Sequence, residues 1–524
     1  MATLEPVGFP LSAFWKTRFV AQIAFCPFPL IPRGAPMTFT IQLVIDSGGA
    51  DSDGAQENPI AQETIEIALL EREDDPREDD PSLEDLGLSL AESKEILQEL
   101  QREIVQRQAE SYAASRRACS GCGKRRRKKG SYPVQFRTLF GNVELESPRL
   151  YHCDCRSHEQ KSFSPLTQLM PGHTAPELLY LETKWASLAP YAKVADLLKD
   201  VLPVSPTTNA ATIRNHLQMV AERDEAELGE ERFTFAEGCS ADWAELPRPD
   251  GPITVGIDGG YVRNWDDKKN HFEVIAGKSI PRDGPAKRFA FASEYDRKPK
   301  RRLFEVLRAQ GLQMNQRVTF LSDGADSVRT LQLYMSPQAR HILDWFHVTM
   351  RLTVLGQYAK GLVRLDEDIG TDIQSALKST KWYLWHGNVY EALWELDIAE
   401  MLIWNFEDTY PEFVKLERAV QEFQTYVENN RELIPNYGER YRYGERISTG
   451  FVESTINQVV AKRFSKRQQM QWTPRGAHLL LQTRTRVLNG ELASRFRRWY
   501  PNFRAGEKGD SGGLEKDPLY RLAA

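Results

Sequence analysis

The chain has 524 residues and a mass of 59.9 kDa, with 41% hydrophobic residues, 27% charged residues and a formal net charge of −5. That balance suits a mostly globular protein of roughly three or four domains at about 150 residues each. No run of 18 apolar residues offers a membrane span, and six cysteines are too few for a disulfide-built secreted scaffold.

The charge is unevenly spread. Residues 1–110 hold 8 Lys/Arg against 21 Asp/Glu, whereas residues 461–504 hold 11 basic side chains and one acid, Glu491. The acidic total therefore leaves a polyanionic partner open. The apolar stretch 19–32 contains Pro27, Pro29 and Pro32 and lacks a small-residue cleavage site, a poor pattern for a secretory signal. Met37 offers an independent start, so residues 1–36 read as an upstream extension outside the fold. Residues 46–90 carry Glu71-Arg72-Glu73-Asp74-Asp75 and Glu78-Asp79-Asp80 with few aromatics. Such a segment buries too little apolar surface to offset its ordering entropy, and residues 1–90 are expected to be a disordered acidic tail. In 91–118, Ile96, Leu97, Leu100, Ile104 and Val105 fall at helical spacing, with Ser89 and Glu92 forming a capping box ahead of one amphipathic helix.

Residues 119–166 form the next module. Cys119-x-x-Cys122 is followed by Cys153-x-Cys155, flanking an alternating stretch that suggests a hairpin turning at Gly141-Asn142. Four thiolates around a hairpin are the ingredients of a zinc ribbon with structural Zn²⁺, the metal replacing a core too small to hold itself. The second pair is one residue short of the usual knuckle spacing, so His152 or His158 is an alternative ligand. Reduced free thiols and a redox pair are the competing readings. Between the pairs stand Lys124, Arg125, Arg126, Arg127, Lys128 and Lys129. A charge run is often only a solvated loop, but with no acid nearby phosphate contact is the better reading. Residues 167–240 read as a helical DNA-binding region, where two helix patterns at 191–199 and 208–223 flank Leu202-Pro203-Val204-Ser205-Pro206. That layout suits a helix-turn-helix, although many such hairpins bind nothing.

The most informative stretch is 251–346. Ile253-Thr254-Val255-Gly256-Ile257-Asp258 reads as a buried strand ending at an acid, and two further strands at 271–280 and 288–294 complete a meander. A helix at 301–310 leads to a strand at 317–323 ending at Asp323. A helix at 328–335 then leads to a strand at 339–343 closing at Asp344. Three meander strands, then helix, strand, helix, strand is the order of a ribonuclease H-like mixed sheet. There Asp258 and Asp323 would face each other and could hold two Mg²⁺ ions, with Mn²⁺ possible. Residues 347–444 read as an all-helical insertion. The core resumes at 445–490, where Val452, Ile456, Val459 and Val460 form an apolar stripe that puts Glu453 and Asn457 on the adjoining face. Ser448 or Thr449 would cap that helix, and Glu453 would complete the site, supported by Asp344 and His347. Strand-end acids alone are common in α/β proteins, and a nucleotide site lacks its glycine fingerprint. Lys462, Arg463, Lys466 and Arg467 lead a basic segment suited to phosphates, with Arg495–Arg498 adding to it. Trp472 and Trp499 are either base-stacking platforms or core, and residues 491–524 form a basic, then flexible tail.

Several blocks together resemble ISKra-type insertion-sequence transposases: Asp258-Gly259-Gly260, Ser322-Asp323-Gly324-Ala325-Asp326, Asp344-Trp345-Phe346-His347, Lys381-Trp382-Tyr383-Leu384-Trp385-His386-Gly387 and Gly450-Phe451-Val452-Glu453-Ser454. The likeness covers roughly residues 120–490. It implies a DDE triad of Asp258, Asp323 and Glu453, a helical insertion before the glutamate, and a role for Asp344-x-x-His347 like that of the Cys/Asp-x-x-His element of related transposases. It implies Mg²⁺-dependent DNA cleavage and strand transfer, double-stranded DNA as partner and a homo-oligomer assembled on that DNA. The location implied is cytoplasmic, at the bacterial nucleoid when DNA-bound. A domesticated, non-catalytic DNA-binding protein and a ribonuclease H-like nuclease without strand transfer are the rival readings.

Overall fold

The structure, a computed structural model, describes residues 19–22, 37–47, 61–72, 86–155, 161–325, 331–332, 334–336, 338–364, 366–404, 411–464, 471–504 and 506. The chain divides into two compact units, residues 1–178 with 195–209, and residues 179–194 with 210–524. No described helix is long and apolar enough to cross a membrane.

In the first unit, strands β1 (Phe19–Gln22), β2 (Met37–Ser47) and β3 (Ala61–Arg72) form an antiparallel sheet. Helix α1 (Leu90–Ser115) starts at Ser89, whose hydroxyl accepts from Glu92 N (3.2 Å) while the Glu92 carboxylate accepts from Ser89 N (2.8 Å). Its Ile96, Leu100 and Ile104 pack on Leu43, Ile45, Ile65 and Ile67 of the sheet. Strands at 37–47 and 61–72 correct the expectation of disorder for those stretches; apart from 19–22, the expected extension 1–36 lies outside the described residues. The acidity of 46–90 conceals a strand in which Ile65 and Ile67 alternate with Glu66, and the stripe on α1 gives those isoleucines a surface to bury against. Hairpin β4 (Lys128–Thr138) and β5 (Gly141–Tyr151) turns at Leu139-Phe140, two residues earlier than expected. Gly141 takes a φ of +105°, which a side chain would resist, and Thr138 Oγ1 donates to its carbonyl (2.8 Å). Strand β6 (Ser162–Phe163) joins β5, and α2 (Pro165–Leu169) follows. Helices α3 (Pro176–Ala186) and α4 (Tyr191–Val201) each have residues in both units.

The second unit continues with α5 (Ala210–Ala226) and α6 (Ser240–Glu245), then a five-stranded sheet. Strands β7 (Ile253–Arg263), β8 (His271–Pro281) and β9 (Lys287–Ala292) form an antiparallel meander. After α7 (Pro299–Arg308), β10 (Val318–Ser322) pairs parallel with β7, and β11 (Ala339–Leu343) pairs parallel with β10. The order across the sheet is β11-β10-β7-β8-β9. Leu303 and Leu307 of α7 pack on Ile253, Val255, Ile257, Val318 and Phe320. Strand β7 does not end at Asp258 as expected. Gly259-Gly260 continue the pleat, and the strand resumes its alternation with Tyr261 exposed and Val262 buried. The helix expected at 328–335 lies largely outside the described residues.

Helices α8 (Trp345–Leu362), α9 (Glu367–Trp385), α10 (Val389–Trp404), α11 (Pro411–Asn429) and α12 (Tyr437–Arg442) follow, with their own apolar core. Then come α13 (Gly450–Ile456), a π-helical turn (Asn457–Ala461), α14 (Lys462–Phe464), α15 (Pro474–Leu488) and α16 (Leu492–Trp499). The π turn leaves carbonyls of the ordinary ladder misaligned. Buried Arg484 answers them, donating from Nε to Val459 O (2.8 Å) and from Nη2 to Gln458 O.

Helix α13 can lie on β7 because the strand presents no side chain there. A Cβ at Gly256 would stand 2.1 Å from Val452 Cγ2 and 2.8 Å from the Phe451 ring. Gly256→Ala is expected to cost about 1–3 kcal/mol by overpacking, read as a lower urea midpoint with an unchanged slope.

Candidate functional site

The β7–β10 register sets the central pair. Val318 lies opposite Ile253 and Leu321 opposite Gly256, an offset of 65 residues (318 − 253 and 321 − 256). The pairing ends two residues before Asp258 and Asp323, and the charge of Asp323 acts on Asp258, so the two aspartates belong to one neighbourhood at the end of the sheet. Burial raises the Asp258 pKa, and the charges of Asp323 and Asp344 raise it further, against His347 and the Gly259 N–H, which lower it. The site thus concentrates negative charge where water screens it poorly.

Asp344, fully buried, is the organising group. It accepts from Phe346 N (2.9 Å) and His347 Nδ1 (2.7 Å) on α8, and from Thr449 N (2.8 Å) and Thr449 Oγ1 just before α13. Thr449 occupies the N-cap position of α13 without making a side-chain cap, because Asp344 takes its hydroxyl. Burial disfavours a charged His347, but the bond to Asp344 and the charges of Asp344, Asp258 and Asp323 outweigh it and raise its pKa. Glu453 stands in the first turn of α13, next to the Val452 that covers Gly256, and is exposed. Asn457 begins the π turn one helical turn further on.

The three carboxylates share this region without closing on a point. Among the described residues, only two groups have ligand atoms all within 4.8 Å of one another, and Asp258, Asp323 and Glu453 are not one of them. Glu453 is the exposed member of the three, whereas Asp258 and Asp323 are half-buried. The donor set is nonetheless hard oxygen, as Mg²⁺ requires, and the strained charge on Asp258 is of the kind a cation relieves.

Sequence reasoning missed Tyr426, Arg351 and Asn430. Asn430, just after α11, places Oδ1 where a Cβ on Gly324 would be only 2.3 Å away, beside Asp323. Tyr426 of α11 has a buried hydroxyl with no hydrogen-bond partner among the described residues. Arg351 of α8 lies 4.2 Å over its ring. Burial, with the charges of Asp323 and Asp344, pushes the phenol pKa upward against Arg351. Nothing in an amphipathic helix marks such a tyrosine; it reads as core.

The first of the two tight groups is Cys119, Cys122, Cys153 and Cys155. Cys119 Sγ is 3.5 Å from Cys155 Sγ, and Cys122 Sγ is 3.3 Å from Cys153 Sγ, with none of the four in a disulfide. A tetrahedral Zn–S₄ centre with bonds of about 2.3 Å has edges of roughly 3.8 Å, so the four residues fit a metal such as zinc. Backbone N–H groups of Gly121 and Cys122, with the Cys155 thiol, lower Cys119 to about 6, while the same contact pushes Cys155 up to about 12, so the two share one proton and Cys119 is the thiolate of the pair. His152 is not part of the group, and His158 lies outside the described residues.

The second group, Glu225, Asp296 and His478, already holds a cation. Buried Arg302 donates from Nε to Asp296 (2.9 Å) and from Nη1 and Nη2 to Glu225 (2.7 and 2.9 Å). Although burial opposes it, the contacts with His478 and Arg302 pull the Glu225 carboxyl to about 2.

The basic candidates divide. Lys124, Arg125, Arg127, Lys128 and Lys129 are exposed, whereas Arg126 is half-buried and donates to Arg116 O (2.8 Å) and Ala118 O (3.1 Å). Lys462 is exposed, and Lys466 and Arg467 lie outside the described residues. Arg463 is a correction: it is fully buried, its guanidinium 5.0 Å from the Tyr191 ring and 5.2 Å from Trp472, so it serves packing rather than phosphate contact. Trp472 is core with it. Arg475, Arg486, Arg495 and Arg498 pair with Glu222, Asp224 and Glu227 at the end of α5, which commits that end of the expected recognition helix to acidic, intramolecular contacts.

The chain matches no family model and no curated protein.

Two outcomes are expected. Elemental analysis of the purified chain should find about one zinc, falling below a tenth in Cys122→Ser/Cys153→Ser. Glu225 has a folded pKa near 2 against 4.5 for the free group, so its stabilisation is full above about 4.5 and is lost as pH falls toward 2. Acid unfolding of Glu225→Gln should therefore show a shallower loss of stability in that window than the parent.

Proposed function

We propose that this chain is a DDE transposase of an insertion sequence, of the ISKra-like type, built on a ribonuclease H-like sheet with a zinc-ribbon-like module before it. The observation that carries the reading is the parallel β7–β10 pairing, which ends two residues before Asp258 and Asp323 and leaves the two acids within electrostatic reach of each other. Glycine-permitted seating of the Glu453 helix on β7 adds to it. The strand order β11-β10-β7-β8-β9, with all-helical chain between β11 and α13 among the described residues, supports the same assignment. Its partners are double-stranded DNA at the element ends and at the target, with a homo-oligomer assembling on them, in the cytoplasm at the nucleoid.

Asp258, Asp323 and Glu453 would hold Mg²⁺, with Mn²⁺ as substitute, and the bound cations would polarise the scissile phosphodiester and offset charge on the attacking and leaving oxygens. Asp344 fixes the His347 ring through Nδ1, so the imidazole meets the two aspartates in one orientation. Those carboxylates raise its pKa, so the ring holds its second proton to higher pH than a free imidazole does. The Tyr426 hydroxyl, with no hydrogen-bond partner among the described residues, is a donor suited to a phosphate oxygen. Lys124, Arg125, Arg127, Lys128, Lys129 and Lys462 would contact the DNA backbone.

A supercoiled plasmid carrying the element ends tests the assignment. Mg²⁺-dependent joining is expected; cutting without joining would indicate a nuclease, and binding alone a regulator. Asp258→Ala, Asp323→Ala and Glu453→Ala should each abolish cleavage while end binding persists in a gel-shift assay, and any of the three that keeps parental cleavage leaves the triad. Tyr426→Phe should slow cleavage about tenfold, the worth of one hydrogen bond, with end affinity unchanged.

A further inference from the structure

Helix α10 is apolar on two opposite faces. Ala392, Leu396, Ala399 and Ile403 are fully buried in the helical core. Roughly half a turn away, Tyr390, Trp394, Met401 and Trp404 are 75%, 56%, 55% and 67% exposed. At about 100° per residue, their spacings of four, seven and three place all four within an arc of about 80°. A helix apolar all round is ordinarily buried all round. Aromatic residues and methionine are also the types that concentrate in interface centres. A cluster of them along one helix face marks an interaction site in a way that scattered exposed residues do not.

Charge selects the occupant. The only charged residues of α10 are Glu391, Glu395, Asp397 and Glu400. By the same helical geometry Glu391 and Glu395 lie to one side of the stripe and Glu400 to the other, while Asp397 falls within its arc, between Tyr390 and Trp404. Asp397 and Glu400 accept from Gln424 and Gln421 of α11 (2.7 Å each), neutral donors that leave their charge in place. Four acids and no base repel a phosphate backbone, which disfavours DNA. A second copy laid α10 on α10 would set four acids against four with no base between them.

We propose that the Tyr390–Trp394–Met401–Trp404 face docks a basic amphipathic helix of a partner protein, its apolar residues at i, i+4 and i+7 meeting the stripe and its Lys/Arg flanks meeting Glu391, Glu395 and Glu400. The surface is independent of the carboxylate site, so the proposal stands or falls separately from the reading as a transposase.

The probe is a fluorescein-labelled helical peptide of Leu and Lys in amphipathic pattern, titrated by anisotropy against the full chain, with a Leu/Glu peptide of the same pattern as control. The Leu/Lys peptide is expected to bind and the Leu/Glu peptide not to. Trp394→Ala/Met401→Ala and Glu391→Lys/Glu395→Lys should each weaken binding at least tenfold. All four side chains are partly exposed, and an unchanged melting curve verifies the fold of each variant. The proposal is overturned if the Leu/Lys peptide does not bind, if both peptides bind alike, or if the variants bind as the parent does. It also fails if sedimentation shows a dimer that Trp394→Ala dissolves, because a second copy is then the occupant. DNA binding lost in the same variant would overturn it in favour of nucleic acid.

Discussion

A single buried carboxylate ties together parts of the chain separated by a hundred residues. Asp344 ends β11, starts α8, and reaches across the whole helical insertion to Thr449 at the start of α13. A buried anion is costly unless its lone pairs are filled, and Asp344 is filled by two backbone amides, a hydroxyl and an imidazole. Each partner is thereby fixed: His347 toward the aspartates of the sheet, and Thr449 at the root of the helix bearing Glu453. Because the two ends of the insertion are pinned at one atom pair, the insertion can be long without loosening the sheet beneath it.

Much of the basic charge near the carboxy terminus serves the fold. The last two turns of α5 carry a row of acids that meets arginines from α7, α15 and α16. Arg463 and Arg484 are spent on aromatic rings and backbone carbonyls. Summed charge over a segment therefore overstates what a polyanion could meet, and the exposed lysines and arginines before and at the start of β4 are the larger free cationic surface among the described residues.

Much of the architecture was legible because it is written in local periodicity. The boundaries of β11, the cap of α1 and the helical character of 347–444 follow from alternation, a capping box and a 3.6-residue repeat. The strand 61–72 was not legible, since average acidity masks two isoleucines whose only reason to be ordered is a helix stripe thirty residues away. Arg463 misled for a related reason: a guanidinium reads as surface charge until two rings enclose it, and only tertiary structure supplies the rings. Tyr426 left no trace at all, because an orphaned hydroxyl is a property of surroundings. The adjacency of β7 and β10, which brings Asp258 and Asp323 into one neighbourhood, was legible from strand order alone, whereas the exposure of Glu453 is set by how α13 seats on β7.

The π turn after Glu453 has a consequence for how this chain tolerates change in length. It stores one surplus residue between the glutamate and the anchored segment that follows. A π turn absorbs its extra residue locally, so removing one residue from 457–461 would let the ladder close to an ordinary α-helix with Glu453 keeping its face, whereas removing one from an α-helical stretch beside it would turn the acid by about 100°. Spacing here is as much a part of the site as the side chains are.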